Sequence, residues 1–337
     1  MSLGPETIFL TGADGFIGSH LTEALVRSGR YRVRALVQYN SLNSFGWLDG
    51  SFALDSPNLE VIPGDIRDQG FIARSMSGAD AVVHLAALIA IPHSYSSPES
   101  YLQTNVLGTL NALEAARTHG VKRFIHTSTS ETYGTAQRVP ISETHPLTAQ
   151  SPYSASKIAA DKLVESYHLS FGTPTVTVRP FNTYGPRQSA RAVIPTVISQ
   201  IVAGNRQIHL GATSPTRDFS FVDDTVSGFT SILDSSDGVG QTFNLGSGFE
   251  ISIKDCVELI AQIMGVEVEI ISEQERMRPE NSEVERLLAD TSKAQAVFGW
   301  TAEHSGLSGF HKGLEKTIHW FNQPENRARY KSEVYNK

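Results

Sequence analysis

Thr11-Gly12-Ala13-Asp14-Gly15-Phe16-Ile17-Gly18 joins an apolar strand pattern, Thr7–Thr11, to a helical one, Ile17–Arg27. Glycines spaced G-x-x-G-x-x-G permit a tight turn, close backbone approach to a pyrophosphate and close helix–strand packing. The helix start offers free N–H groups and a positive dipole end to an anion. Glycine also serves strand-to-helix turns on steric grounds alone, so the surroundings decide. Strand patterns recur at Arg32–Val37, Leu59–Ile62, Ala81–Leu85, Arg123–Thr127 and Val176–Arg179, with helical stretches at Phe71–Met76, Tyr101–Thr118 and Ser154–Phe171. That alternation predicts βαβ units with right-handed crossovers, hence an α/β, Rossmann-type doubly wound parallel sheet. At its first β–α turn, the glycine loop reads as a dinucleotide site.

The texture changes after Arg179. Residues 180–218 are rich in Pro, Gly and Arg, with one helix near Ile194–Ala203. Phe219–Leu233 reads as a helix, Thr242–Leu245 as a strand, and the run VEVEII as a further short strand. Leu307, Phe310, Leu314, Ile318 and Phe321 fall at spacings of three and four, a core-facing stripe. The expected division is a dinucleotide-binding domain of residues 1–179 plus about 219–250, and a smaller α/β substrate domain of 180–218 plus about 251–321. Residues 322–337 form a polar C-terminal tail, expected to be a solvated end.

Composition narrows the class. The chain has 337 residues with 28 Lys+Arg against 35 Asp+Glu, a net charge of −7. An acidic balance disfavours a nucleic-acid partner, which usually meets a basic face. Hydrophobic residues at 40% and charged ones at 19% supply a core and exclude disorder. The single cysteine, Cys256, excludes an internal disulfide framework and reads as core; the 11 histidines show no metal-ligand spacing. His84, inside an apolar strand, reads as a packed histidine rather than a base. No 18-residue apolar run is present and the start MSLGPE runs straight into a strand pattern, so a soluble, cytoplasmic protein without membrane association is expected.

The second strand would carry the residue that reads the cofactor ribose. An acid there favours NAD and a base favours NADP. The strand ends Leu36-Val37-Gln38-Tyr39-Asn40. Gln38 can hydrogen-bond a hydroxyl but cannot balance a 2′-phosphate, which tilts the reading to NAD, with NADP less favoured. Asp65 follows the third strand, where it could meet the adenine or cap a helix. Tyr153-Ser154-Ala155-Ser156-Lys157 sets a phenol and an ammonium on one helical face. An unperturbed phenol titrates near ~10, so a phenolate base at neutral pH needs roughly 4 kcal/mol of stabilisation, which a neighbouring Lys and a cationic nicotinamide can supply. Ser128-Thr129-Ser130-Glu131 ends an apolar strand. Ligands bind at such strand ends, although Thr129 and Ser130 also suit turn capping and Glu131 a solvated loop.

TGADGFIG, GDIRD, HLAA, STSETYG, YSASK, RPFNTYGPRQ and RDFSFVDD, in this order, together resemble the extended short-chain dehydrogenase/reductase family over nearly the whole chain. Within it the chain resembles NAD-dependent nucleotide-sugar 4,6-dehydratases. STSETYGTAQ, SPYSASKIAADKL, RPFNTYGPRQSARAVIP and RPENSEVERL resemble the branch making legionaminic-acid-type precursors from nucleotide-linked N-acetylglucosamine. The resemblance implies a cofactor cradle of Gly12, Gly15, Phe16, Ile17, Gly18, Gln38, Asp65, Ile66, Leu85, Ala86 and Ala87, with Tyr153 and Lys157. It implies that Tyr153, assisted by Lys157 and Thr129, takes the C4 hydroxyl proton while hydride leaves C4. Glu131 then takes the C5 proton, water leaves C6, and the hydride returns to C6 with a proton added at C5. The dTDP-glucose dehydratases place Asp before this Glu as acid for the leaving hydroxyl; here Ser130 stands there, as in GDP-mannose dehydratases. Ser is too weak an acid to act unaided, so Glu131 is expected to serve as base and acid, with Ser130 positioning the hydroxyl.

The resemblance also implies a nucleotide-diphosphate sugar held by Asn182 and Arg187, with Arg217 and Arg278 on the pyrophosphate and His93 and Ser94 lining the sugar pocket. Arg suits phosphate because its planar fork binds two oxygens, although Arg217 could instead form an internal ion pair with Asp218. A homodimer is expected, pairing Tyr101–Thr118 and Ser154–Phe171 into a four-helix bundle. Three rivals remain. A C4-epimerase needs no C5 base and usually lacks the Glu131 equivalent. A UDP-glucuronate decarboxylase generally has Arg after the helix Lys, where this chain has Ile158. A non-catalytic NAD(P)-sensing regulator would not need Thr129, Glu131, Tyr153 and Lys157 intact.

Overall fold

A computed structural model describes residues 6–330. The first half is a run of strand–helix units: β1 (Glu6–Thr11), α1 (Phe16–Ser28), β2 (Tyr31–Gln38), β3 (Leu59–Gly64), α2 (Gln69–Met76) and β4 (Ala81–His84). After β4 come two short helices, α3 (Ile91–Ser96) and α4 (Pro98–Tyr101). Next are α5 (Gly108–His119), β5 (Arg123–Thr127), α6 (Pro152–Phe171) and β6 (Thr175–Pro180). With β10 (Thr242–Leu245) these strands form one parallel sheet, ordered β10-β6-β5-β4-β1-β2-β3. The order reverses between β1 and β4. Such a switch point leaves a crevice at the strand C-termini, where open α/β sheets bind ligands. Val82, Val83, Phe124, Ile125, Val176 and Val178 are fully buried, as continuous apolar strands require when helices cover both faces.

The chain continues with β7 (Asn182–Tyr184), α7 (Val193–Val202), β8 (Gln207–Leu210), β9 (Thr216–Phe221) and α8 (Val222–Asp234). After β10 come β11 (Glu250–Ser252), α9 (Ile253–Ile263), β12 (Glu269–Ser272), α10 (Ser292–Phe298), α11 (Gly306–Asn322) and α12 (Pro324–Arg327). β11, β9 and β7 form a three-stranded sheet, and β12 pairs with β8. α8 packs on α1, and β10 completes the large sheet, so the chain returns to that sheet between β7–β9 and β11–β12.

Several expected elements differ. The helix expected at Phe219–Leu233 begins at Val222, because Thr216–Phe221 is spent pairing as β9 with β7 and β11. The stretch expected as one helix over Tyr101–Thr118 is broken by a π-helical segment at Leu102–Leu107. The strand expected at VEVEII, 266–271, starts later and forms at Glu269–Ser272. Leu307 is 57% exposed and falls off the core stripe, while Phe310, Leu314, Ile318 and Phe321 are buried.

Of the expected tail, residues 322–330 are described and mostly exposed, 331–337 lie outside the described residues, and the half-buried Tyr330 turns back onto the protein. α12 delivers Tyr330 against Trp47, Trp320 and Phe321, and its hydroxyl donates to Gln188 O at 2.9 Å. Arg329 lies over the Trp47 ring. An aromatic side chain covers apolar surface here that a polar reading of the segment overlooked.

Candidate active site

A cavity of about 1320 Å³ opens at the sheet's switch point and runs on to Asn182, Arg217 and Arg278. One end is the glycine loop. Gly12 has φ +70°, and a Cβ there would sit 2.8 Å from Ala86 N, so only glycine lets β1's turn lie against the chain after β4. Gly15 begins α1 with no side-chain cap, leaving the first helical N–H groups to the cavity. Phe16, Ile17, Gly18, Gln38, Asp65, Ile66, Leu85, Ala86 and Ala87 line the same space. This uncapped, glycine-lined helix start fits a dinucleotide pyrophosphate. Asp65 does not cap α2; Asp68 does, accepting from Phe71 N at 2.9 Å, while Asp65 binds the Arg67 guanidinium through both oxygens.

The reactive groups meet at the middle of the cavity. β5 ends in Thr127, and Thr129 caps a short 3-10 turn, Ser130–Tyr133, by accepting from Glu131 N at 3.2 Å. That turn carries Glu131 to the cavity wall. α6 starts with a reciprocal cap: Ser151 Oγ accepts from Ser154 N at 3.1 Å, and Ser154 Oγ from Ser151 N at 3.0 Å. The fixed first turn presents Tyr153, and Lys157 follows one turn later on the same face. The Tyr153 hydroxyl meets Thr129, and Lys157 Nζ donates to Thr127 O at 2.7 Å. Thr129, Ser130, Glu131, Tyr153 and Lys157 all line the cavity.

Burial raises the Tyr153 hydroxyl above its usual range; the Thr129 hydrogen bond opposes this, and the charge of Glu131 adds to it. Burial lowers Lys157 to about 8, against the pull of Asp161. Beneath them lies a buried network that the sequence reading missed. Asp161, 5% exposed, accepts from Arg179 at 2.8 and 3.2 Å and lies 3.2 Å from His126 Nε2. Burial works to raise Asp161, but His126, Ser128 and the Arg179 charge overrule it and hold it at about 2. Burial and the Lys157 charge push His126 down to about 4, so its ring is neutral at pH 7. Arg179 also donates to the Tyr133 hydroxyl, which donates to Asn244 on β10 at 2.7 Å. The signal was present: His126 and Arg179 interrupt otherwise apolar strands. His84 is packed as expected, between Thr11 Oγ1 at 2.8 Å and Thr109 Oγ1 at 3.1 Å.

On the far side the residues divide. Asn182 lines the cavity, its buried amide nitrogen without a hydrogen-bond partner. Arg217 and Arg278 line it too, both facing Glu283 at 3.0 and 3.5 Å. The alternative pairing of Arg217 with Asp218 does not form. Asp218 instead accepts from Ser247 N and Oγ, Gly248 N and Ala289 N, and burial raises its pKa to about 6. Arg187 lines the cavity but is tied to Glu23 of α1 at 2.8 Å. His93 and Ser94 are not among the lining residues: Ser94 is buried, its hydroxyl on Ile91 O, and His93 lies against the Tyr101 ring. Eight cationic side chains line the cavity against four carboxylates, in a chain of net charge −7. Among the described residues, no cluster of His, Cys, Asp or Glu could hold a metal, and no helix is long and apolar enough to cross a membrane.

A glycine-lined switch point with Tyr, Lys, Thr and Glu converging on it defines an extended short-chain dehydrogenase/reductase. A family profile described as GDP-mannose 4,6 dehydratase matches residues 9–315, and the chain belongs to this family of nucleotide-sugar 4,6-dehydratases. It is 33% identical over 325 residues to the dTDP-glucose 4,6-dehydratase of Streptomyces antibioticus, covering 95% of this chain and 93% of that one. The solved dTDP-glucose 4,6-dehydratase DesIV of Streptomyces venezuelae, with NAD bound, matches with TM-score 0.83 and 28% identity, covering 96% and 98%. UDP-glucuronic acid 4-epimerase from Bacillus cereus, solved with UDP-glucuronic acid and NAD, matches with TM-score 0.84 and 27% identity, covering 96% and 100%. Dehydratases and epimerases thus share this fold, and the site must separate them.

Proposed function

We propose that this protein is an NAD-dependent nucleotide-sugar 4,6-dehydratase. It takes an NDP-hexose, UDP- or GDP-linked and of the N-acetylglucosamine type, to the 4-keto-6-deoxy sugar. The observation that carries the reading is Glu131 on the wall of the cavity that holds Tyr153, Lys157 and Thr129. An epimerase needs no base for C5; elimination does.

Held against the glycine loop, NAD would supply the acceptor for the C4 hydride and the hydride that adds at C6, with a proton added at C5. The chain's own groups handle protons. The Tyr153 hydroxyl, aligned by Thr129, takes the C4 hydroxyl proton, and the Lys157 ammonium favours the resulting phenolate. The C4 ketone acidifies C5–H, and Glu131 removes that proton. Glu131 then returns it to the departing C6 hydroxyl, which Ser130 orients. A smaller domain, 180–218 with 251–321, serves the nucleotide-sugar, with Asn182 at the sugar and Arg217 and Arg278 at the pyrophosphate. For the two arginines to do so, Glu283 must yield to the phosphates.

The test is incubation of wild type and Glu131→Gln with UDP-, GDP-, CDP- and dTDP-sugars, followed by mass spectrometry. Loss of one water by wild type, abolished in the variant while NAD stays bound, is the expected outcome. An isobaric product would show an epimerase, loss of carbon dioxide a decarboxylase, and near-normal turnover by the variant would remove Glu131 from its role. We also propose a homodimer through the helices that include α5 and α6. Exposed Leu102 and Leu107 support it, and a monomer by light scattering at micromolar concentration would contradict it.

A further inference from the structure

β2 ends without the acid that usually reads the ribose, yet a carboxylate does stand at that place. Asp14 of the glycine loop turns its side chain to the end of β2, where Oδ2 accepts from Gln38 N at 3.2 Å. Its main chain is fixed as well: Trp47 N donates to Asp14 O at 3.0 Å, and neighbouring Ala13 N donates to Leu36 O at 3.2 Å. Gly46, at φ +61°, packs directly on Asp14 and leaves no room for a side chain of its own. Asp14 and Gln38 line the same end of the cavity, and Asp14 has no cationic partner among the described residues. The cation just beyond β3, Arg67, is occupied by both oxygens of Asp65.

Resting on the assignment of NAD above, we propose that Asp14 is the residue by which this protein reads the adenosine ribose. Its carboxylate accepts from a free 2′-hydroxyl and repels a 2′-phosphate, the task that an acid at the strand end performs in the usual dinucleotide fold. A ribose hydroxyl donates to a carboxylate; a phosphate dianion cannot, and it meets like charge in a partly desolvated cleft. Gln38 serves this arrangement through its backbone N–H, which aims the carboxylate. That explains how an uncharged side chain at position 38 is compatible with NAD selectivity.

The experiment is calorimetric titration of the full-length protein, freed of co-purified nucleotide, with NAD⁺ and with NADP⁺. Asp14→Asn keeps the size and can still accept from Gln38 N–H, so the loop keeps its shape. Loss of a charged hydrogen bond weakens NAD⁺ by roughly 10-fold or more. NADP⁺ binding tightens or holds, so the ratio of the two dissociation constants collapses. The double variant Asp14→Asn/Gln38→Asp, which moves the acid back to the strand end, restores much of the NAD⁺ preference. If both nucleotides weaken alike in Asp14→Asn and the double variant rescues neither, Asp14 merely holds the loop and the proposal is wrong. Wild type that binds neither nucleotide would overturn the cofactor assignment itself, a result distinct from an unmoved ratio.

Discussion

Replacing Asp161 by Asn strands two buried cations. Arg179 is 5% exposed and Lys157 3%, and Asp161 is the carboxylate that both of them feel. The magnitude follows from the acid's own titration. A folded pKa of about 2 against 3.8 in the unfolded chain is worth about 2 kcal/mol at pH 7. Removing one partner of a buried pair costs more, roughly 3–5 kcal/mol, because the arginine is left uncompensated. These figures describe one interaction from two sides and do not add. The folded pKa is depressed, so the stabilisation is present above the unfolded pKa and fades as pH falls toward the folded one. About half of the 2 kcal/mol is gone near about pH 3. Urea unfolding of wild type and Asp161→Asn should therefore differ most at neutral pH and converge in acid. In the active enzyme, Lys157 loses the charge that now supports its ammonium, so the alkaline limb of the pH–rate profile moves below about 8. Equal urea midpoints at neutral pH, or a gap that does not narrow in acid, would refute the reasoning.

Gly12→Ala adds a side chain at φ +70° that meets Ala86 N at 2.8 Å. It should cost about 1–2 kcal/mol in backbone strain alone, lower the melting temperature by a few degrees, and weaken NAD⁺ at least roughly 10-fold by calorimetry. Tyr330→Phe deletes the hydrogen bond to Gln188 O and should cost about 1 kcal/mol in urea; Tyr330→Ala also empties an aromatic site and should cost about 3. An alanine variant within about 0.5 kcal/mol of wild type would return the segment to the status of a solvated tail.

The alternation of buried runs such as AVVHL and RFIHT with helical stretches predicts the large parallel sheet because short apolar strands separated by helices have few other ways to pair. The glycine loop and YSASK sit next to each other in space, 135 residues and more apart in sequence, because both lie at strand or helix ends on the same rim of that sheet. The helix expected from Phe219 is a misreading at its start: Thr216, Phe219 and Phe221 suit a strand, and β7 and β11 supply its partners. What was not legible depended on long-range pairing. Arg217 beside Asp218 suggests an ion pair by adjacency, yet adjacent residues of a strand point to opposite faces, and each finds its partners elsewhere. The Asp161 network joins β5, α6, β6 and β10, four elements whose proximity only the assembled sheet creates. Asp14 was hidden inside a motif read for its glycines.

The turn-back of the last described residues has a practical side. The cofactor end of the cleft is walled by segments from opposite ends of the chain: Gly46 and Trp47 early, Arg329 and Tyr330 late. A purification handle or fluorophore fused directly after Tyr330 would start from the wall of the cleft, whereas one placed ahead of Glu6 would start from the far end of the central strand β1. A chain truncated before Arg329 would likewise keep the sheet and glycine loop but lose two residues of that wall.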